Sequence, residues 1–187
     1  MFRSPATVAV LLGCVLSSSA SPAAGRVLPT DDKEKLVQPL FSLGGRESKN
    51  AKAGYHRIES PEAWKALWLR HNTGTERPDT VPVTTPQAEV DFSRCMVVAV
   101  FQGEGDNCDG FKVHSVLETD EQMTVRIQGL YFATGPEVQK TQAWGIFVLP
   151  RSAKPLRIEL DTRSDKIDPP KWTKVAEFKV GNGSQEK

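Results

Sequence analysis

The sequence predicts a mainly β (α+β) fold, an antiparallel β-sandwich or partly open barrel with one packed helix. Two observations lead to this prediction. Six or seven short apolar segments, several of them alternating with polar residues, are separated by turn-forming residues. One stretch, beginning at Ser60, has apolar residues at helical spacing. Many short strands with a single helix are typical of sheets that pack around one core.

The first 20 residues have the pattern of a secretory signal peptide. Arg3 precedes the apolar run Thr7–Leu16, and small residues follow up to Ala20, which predicts cleavage after Ala20 and export to the periplasm or the cell exterior. The apolar run is shorter than the roughly 20 residues that a membrane-spanning helix needs, so we expect no transmembrane segment. The residues around Cys14 also resemble a bacterial lipoprotein box, and lipidation of Cys14 is the alternative.

Composition predicts a single domain with a balanced surface. The chain carries 24 basic and 23 acidic residues, and cleavage after position 20 removes one basic residue, Arg3, to leave 23 of each. A net charge of zero without a basic stripe argues against nucleic-acid binding and against a polybasic membrane surface. We expect a flexible leader at 21–35, one β-rich domain at 36–181 and a disordered tail at 182–187.

The predicted helix has clear boundaries. Ser60 is in the N-cap position, Pro61 occupies the first helical position, and Gly74 follows the last polar residues. Four residues recur at i, i+3, i+4 and i+7 and share the face that we expect to be buried: Trp64, Leu67, Trp68 and His71.

The strands are predicted from apolar runs and from alternation. Leu36–Leu43 has the composition of a strand, and Pro39 restricts it to a sheet edge. The run at 95–101 is apolar without alternation, as expected for a strand covered on both faces. Alternation places Phe111, Val113, Ser115 and Leu117 on one side of the next strand, and a four-residue turn then leads to a strand at 123–128. Further strands are predicted at 144–149, 155–160 and 176–180.

No motif of catalysis or metal binding is present in the sequence. It has no G-x-S-x-G elbow, phosphate-binding glycine loop or H-E-x-x-H pair, and His56, His71 and His114 lack ligand spacing. Two acidic groups could offer oxygen ligands to calcium, but their irregular spacing favours solvated turns: Glu104, Asp106 and Asp109, and then Asp161, Asp165 and Asp168. We therefore expect no catalytic residues, no metal and no cofactor.

Two cysteines would remain after signal removal, Cys95 and Cys108. An even number in an exported protein favours a disulfide. If the strands on either side of the intervening loop form a direct hairpin, however, Cys95 is about 23 Å from the loop end, while a disulfide needs Cα atoms within about 7 Å. The pair stays a disulfide candidate, with free thiols as the alternative.

The order of features resembles the PrcB C-terminal domain family of exported bacterial proteins, over roughly Tyr55 to Leu160. The features that carry the resemblance are the helix with Glu62-Ala63-Trp64, then Val90-Asp91-Phe92, the apolar strand Met96–Phe101, the step Gln102-Gly103, the glycine loop before Phe111 and the strand ending in Val148-Leu149-Pro150. The family is named for a lipoprotein subunit that stabilises a surface protease complex. Its usual loop has threonine or serine, two glycines and tyrosine, where this chain has Asn107-Cys108-Asp109-Gly110-Phe111.

The export signal, the missing catalytic set and the resemblance together predict a non-catalytic binding or accessory module of the bacterial cell envelope. Its partner would be another envelope protein, and the resemblance implies that this partner is a protease. The loop at Gly103–Phe111 is the expected contact, through Glu104, Asp106, Asn107, Asp109, Gly110 and Phe111. The alternatives are an ordinary polar connection and, as a different function, a loop-inserting protease inhibitor.

Overall fold

Two five-stranded sheets face each other, and a helix covers the outer side of one of them. The computed structural model describes residues 34–50, 52–74, 89–163, 167–180 and 184–186. The prediction of a mainly β fold with one packed helix is confirmed: the sheets form a sandwich, and α1 (Pro61–Thr73) is the only helix among those residues. The predicted signal peptide, Cys14 and most of the predicted leader lie outside the described residues.

The strands form two large sheets and one small ribbon. Sheet 1 contains, from edge to edge, β1 (Lys35–Val37), β6 (Cys108–Glu118), β7 (Met123–Tyr131), β10 (Leu156–Asp161) and β11 (Trp172–Phe178). Sheet 2 contains β12 (Ser184–Glu186), β3 (Gly54–Ile58), β4 (Cys95–Phe101), β9 (Trp144–Pro150) and β2 (Phe41–Gly45). The ribbon pairs β5 (Gly105–Asp106) with β8 (Lys140–Thr141). All neighbours are antiparallel except β7 and β10, which are parallel because the chain crosses to sheet 2 between them.

The main core lies between the two sheets. The inward residues of β7 are Met123, Val125 and Ile127, as their alternation predicts, and all three are buried. They face the inner side of sheet 2, where Val98 and Phe147 are fully buried. Burial of these apolar side chains, worth about 1.5–3 kcal/mol for each one fully buried, holds the sheets together.

Helix α1 begins and ends where the sequence predicts. Ser60 is the N-cap, and its side-chain oxygen accepts a hydrogen bond from Ala63 N at 3.2 Å. Gly74 ends the helix in the left-handed conformation at φ 74°, and its N–H donates to Arg70 O at 2.8 Å. The expected buried face is confirmed for all four of its residues, Trp64, Leu67, Trp68 and His71.

The helix rests on the outer face of sheet 2 and forms a second core there. Trp64, Leu67 and Trp68 pack with Val97 and Ala99, the outward residues of β4. Since the intervening residues of β4 point into the inter-sheet core, this strand is covered on both faces, which explains its apolar run without alternation.

The two ends of the domain differ from the prediction. The apolar stretch at 36–43 forms two strands in different sheets, β1 and β2, rather than one. Pro39 lies between them, where its missing N–H and fixed φ end the pairing, and both strands are sheet edges as expected. At the other end, the predicted disordered tail contains β12, which pairs with β3. β12 pairs through the backbone N–H and C=O groups at the edge of β3. Such backbone pairing leaves no apolar pattern in the sequence.

The residues of β6 that face the core also differ from those that simple alternation predicts. The register shifts between Val113 and Ser115, so that one extra residue lies on β6 at that point. After the shift Val116, fully buried, faces the core, while Ser115 and Leu117 are only half-buried. A bulge reverses the inside–outside pattern, because side chains alternate with a period of two.

A buried arginine joins sheet 2 to the loop before β10. Arg57 on β3 is 1% exposed. Its Nη2 donates to Ser152 O at 2.6 Å and pairs with Glu59 Oε1 at 2.9 Å, while Nη1 donates to Lys154 O at 2.8 Å. A buried guanidinium is tolerated only with such partners, because removing the charge from water is costly.

Candidate functional site

The acidic loop, Gly103–Phe111, connects sheet 2 to sheet 1 as an ordered ribbon. Its middle residues form β5, which pairs with β8 through Gly105 opposite Thr141 and Asp106 opposite Lys140. A positive φ of 71° at Gly103 turns the chain out of sheet 2. Strand β6 then begins at Cys108, so the loop is held at both ends and in its centre.

Asn107 fixes the loop to the segment between β7 and β8. Its backbone is left-handed at φ 50°, a conformation that asparagine adopts more readily than most residues. Its N–H donates to Gln139 O at 2.9 Å, its Oδ1 accepts from Gln139 N at 2.8 Å, and its carbonyl accepts from Phe132 N at 2.9 Å. Three hydrogen bonds at one residue hold the loop against this segment.

The three acidic residues of the loop are exposed and differ in their partners. Asp106 pairs with Lys140 Nζ at 2.8 Å, and its hydrogen bond and charge raise the pKa of Lys140. Asp109 pairs with Arg46 Nη2 at 2.6 Å. Glu104 is exposed beside Lys140 and adds to the field on that ammonium group. Water screens these pairs, so they orient side chains more than they stabilise the fold.

Gly110 and Phe111 lie in the packed interior of the domain, so the expectation that they contact a partner is wrong. Gly110 has φ 129°, and a Cβ built on it would lie 2.7 Å from Gly45 N, because β6 passes close to β2 here. Phe111 is 5% exposed and packs in the inter-sheet core. Strand β6 starts earlier than the sequence indicates, so the aromatic residue is drawn into the core and cannot contact a partner.

The candidate disulfide between Cys95 and Cys108 is not formed: both are free thiols. They lie in different sheets, Cys95 at the start of β4 and Cys108 beyond its far end at the start of β6. Cys108 is fully buried with its Sγ 3.3 Å from Gly110 O, and burial raises the pKa of its thiol. It is therefore an inert core residue.

A groove of ≈ 430 Å³ opens between the acidic loop, β8 and the turn that follows β2. The lining residues are Arg46, Glu47, Ser48, Glu104, Gly105, Lys140, Thr141 and Gln142. Two cations and two anions thus border one depression, which suits a polar segment of a partner chain with both donors and acceptors.

A buried pair supports one side of the groove. Ser48 Oγ lies 2.9 Å from His71 Nδ1, and Ser48 Oγ also accepts from Asn50 N at 3.0 Å. In addition, Lys49 N donates to His71 O at 2.9 Å, so the turn is tied to the last turn of α1. Ser48 is only 5% exposed and its oxygen also accepts a backbone N–H, so the pair fixes the turn against the helix.

His71 is packed among aromatic rings. It is 6% exposed, and its ring centroid lies 4.3 Å from Trp144 and 5.8 Å from both Trp68 and Phe101. Burial lowers the pKa of His71 from 6.5 to about 4, because the imidazolium would lose its hydration. The helical spacing of the sequence predicts this buried position, but nothing in the sequence indicates Ser48 as its partner.

The second acidic group closes a turn between β10 and β11. Asp161 pairs with Arg163 Nε at 2.7 Å and accepts from Lys171 N at 3.1 Å, whereas Asp168 is exposed and Asp165 lies outside the described residues. Within the described ranges, no three histidine, cysteine or acidic residues are grouped closely enough to hold a metal ion.

No helix in the described part of the chain is long and apolar enough to cross a membrane. Comparison of the chain with protein-family models, with curated proteins and with solved structures found no match.

Proposed function

We propose that the chain is a non-catalytic, exported accessory module of the bacterial cell envelope that binds another envelope protein through the acidic loop and its groove. The observation that carries this proposal is the fixing of the loop by Asn107, which presents Glu104, Asp106 and Asp109 in one arrangement before any partner arrives. A pre-ordered loop loses little conformational entropy on binding, which favours recognition.

The charges of the groove support a protein partner. Arg46 and Lys140 stand beside Glu47 and Glu104, so both signs are presented within one depression. A partner segment with the complementary order of charges would gain specificity and a faster association rate. The N-terminal pattern supports export, and the resemblance to the PrcB C-terminal domain family supports a protease-associated partner. Residues 107–111 depart from that family's loop.

A non-catalytic role agrees with the use of the polar groups near the groove. The Ser48 hydroxyl and the His71 imidazole bond to each other, and the serine is held by a backbone N–H. Two of the three acids of the loop, Asp106 and Asp109, are ion-paired on the surface.

A charge-reversal experiment tests the partner surface. The mature protein is immobilised, exposed to an envelope extract of the bacterium that encodes it, and compared with Glu104→Lys. Glu104 lines the groove and is exposed, so the substitution changes recognition without a cost in packing. The matched control is Asp120→Lys, which makes the same charge change in the exposed turn at the opposite end of β6.

We expect one envelope protein to be retained by the wild type and by Asp120→Lys, and its retention to fall about tenfold or more for Glu104→Lys. Recovery of no specific protein, or equal recovery by all three forms, would contradict the proposal.

The alternative, a loop-inserting protease inhibitor, requires a loop tip that fills an active-site cleft. The fixed β5–β8 ribbon favours it, since such inhibitors need a rigid loop. Against it, Phe111 is buried and cannot supply an apolar contact. Stoichiometric loss of activity in a panel of serine and cysteine proteases mixed with equimolar protein would favour the inhibitor over the accessory module.

A further inference from the structure

The two cations that line the groove are already paired with acids that lie outside its lining. Arg46 Nη2 lies 2.6 Å from Asp109 Oδ1, and the Arg46 guanidinium carbon is 5.3 Å from the centre of the Phe132 ring. Lys140 Nζ lies 2.8 Å from Asp106 Oδ1. An anionic ligand in the groove would therefore have to compete with two carboxylates for these cations.

The two acids that line the groove have no such partner. Glu47 and Glu104 are exposed, and neither of them forms an ion pair with another residue in the described part of the chain. Lys140 does not balance Glu104, because its ammonium group is bonded to Asp106. The hydrogen bond to Asp106 is the main cause of the raised pKa of Lys140, and Glu104 contributes least to it. The groove thus offers two carboxylates to a cation from solution.

Glu47 and Glu104 lie in two different walls of the groove, and both walls are held in place. Glu47 belongs to the turn that follows β2, which the 2.9 Å bond from Lys49 N to His71 O ties to helix α1. Glu104 lies in the acidic loop, which the ribbon of β5 and β8 fixes. The volume of the groove is within the range of about 300–1,000 Å³ that is usual for binding sites. A ligand that contacts both carboxylates therefore needs two positive charges, separated across the groove.

We infer that the groove binds a basic segment of the partner protein, with two lysine or arginine side chains at Glu47 and Glu104. Gly105 and Gln142 also line the groove, and their backbone and amide groups can bond to a peptide backbone. Complementary charge adds specificity and a faster association rate to such a contact. The inference rests on the proposed function, since it names the chemistry of the segment that enters the proposed site.

The test uses the mature protein, labelled with ¹⁵N, and three probes: acetylated tetralysine amide, acetylated tetraglutamate amide and spermine. In about 20 mM salt, where charge interactions are weakly screened, tetralysine should shift the backbone amide signals of Glu47, Glu104 and Gln142, with a Kd on the order of 1 mM. Tetraglutamate should leave these signals in place. Spermine has the same number of positive charges as tetralysine but no peptide backbone, so it should bind more weakly.

A double substitution measures the share of the two carboxylates. Glu47→Gln combined with Glu104→Gln removes both charges and keeps the shape of the side chains, and should weaken tetralysine binding about fivefold. The matched control, Asp120→Asn combined with Glu121→Gln, removes two exposed carboxylates from the turn between β6 and β7 and should leave the Kd unchanged.

Lys140→Gln tests the sign of the preferred charge. The substitution removes the partner of Asp106 and makes the region more negative, so tetralysine should bind about twofold more tightly. Weaker tetralysine binding in this variant would contradict the inference.

Mapping of the shifts on the wild-type chain needs no substitution, so it decides the question even if a variant fails to fold. The inference is overturned if tetralysine shifts none of the three signals, if tetraglutamate shifts them equally, or if the double substitution leaves the Kd unchanged. Spermine that binds as tightly as tetralysine would overturn it in favour of a free polyamine.

The result can be told apart from that of the extract experiment. Mapping with tetralysine requires no partner, so it reports on the groove even if no envelope protein is recovered and the accessory module fails. If an envelope protein is retained but tetralysine does not displace it, the accessory module stands and the basic segment is excluded.

Discussion

Acidification below neutral pH should destabilise the domain through His71. The ring is buried in the folded protein and its pKa is lowered from 6.5 to about 4. As the pH falls, the unfolded chain takes up a proton near pH 6.5, while the folded chain does not until about pH 4. The contribution of His71 to stability is therefore complete above pH 6.5, decreases as the pH falls toward 4 and is absent below it.

The magnitude follows from the size of the shift. Each pKa unit corresponds to about 1.4 kcal/mol, so a difference of about 2.5 units corresponds to roughly 3 kcal/mol of unfolding free energy. Because His71 is 6% exposed and surrounded by aromatic rings, solvent screening reduces this value little.

Urea unfolding at pH 7.5, 6.5, 5.5 and 4.0 measures the effect, in the wild type and in His71→Gln. Glutamine does not titrate but retains an amide that can bond to Ser48. We expect the wild type to lose roughly 3 kcal/mol more than His71→Gln between pH 7.5 and 4.0, since all other titrating groups are common to both. The control, Ala66→Gln, places a glutamine at an exposed position of the same helix and should follow the wild-type profile.

Equal losses in the wild type and His71→Gln would refute this reasoning. An NMR titration of the His71 ring that gives a midpoint near 6.5 would do the same, because the ring would then be hydrated in the folded state.

Three further outcomes are expected. Arg57→Met should lower the unfolding free energy by about 3 kcal/mol in urea titrations, since it leaves buried carbonyl oxygens without their donor; a loss below about 1 kcal/mol would show that water replaces it. Gly110→Ala should lower the unfolding free energy by about 3 kcal/mol, because φ is 129° and backbone atoms fill the space that a Cβ would need. The control, Gly135→Ala, has φ 73° and nothing within 4 Å, and should lower it by only about 1 kcal/mol. Equal losses of unfolding free energy would contradict the close approach of β6 to β2. A thiol reagent should modify Cys95 but not Cys108 in the native protein and both in urea, and equal native rates would show that Cys108 is accessible.

Elements with a local cause could be predicted from the sequence. The helix follows from Ser60 and Gly74 at its ends and from the spacing of its tryptophans, all within one short segment. Strand β7 is predicted by its alternation of apolar and polar residues. Strand β4 is predicted by an apolar run without alternation, which is typical of a strand covered on both faces. In these cases the preference of the segment and the demands of the core agree.

Elements that depend on distant partners could not be predicted. Strand β3 contains His56 and Arg57, both buried. Besides its pair with Glu59, Arg57 needs carbonyl oxygens that Ser152 and Lys154 supply from 95 and 97 residues away. In the candidate site, the sequence indicates the acidic loop, but the Arg46–Asp109 pair depends on the packing of β2 against β6. The bulge in β6 likewise has no local signature.

The short strand β12 has a practical consequence for handling the protein. It is the outermost strand of sheet 2 and occupies the backbone groups of β3. A truncation before position 184 would expose the backbone N–H and C=O groups of β3. These groups could then pair with a strand of a second molecule and promote aggregation. Strand β12 therefore protects the backbone groups of β3 from pairing with another molecule.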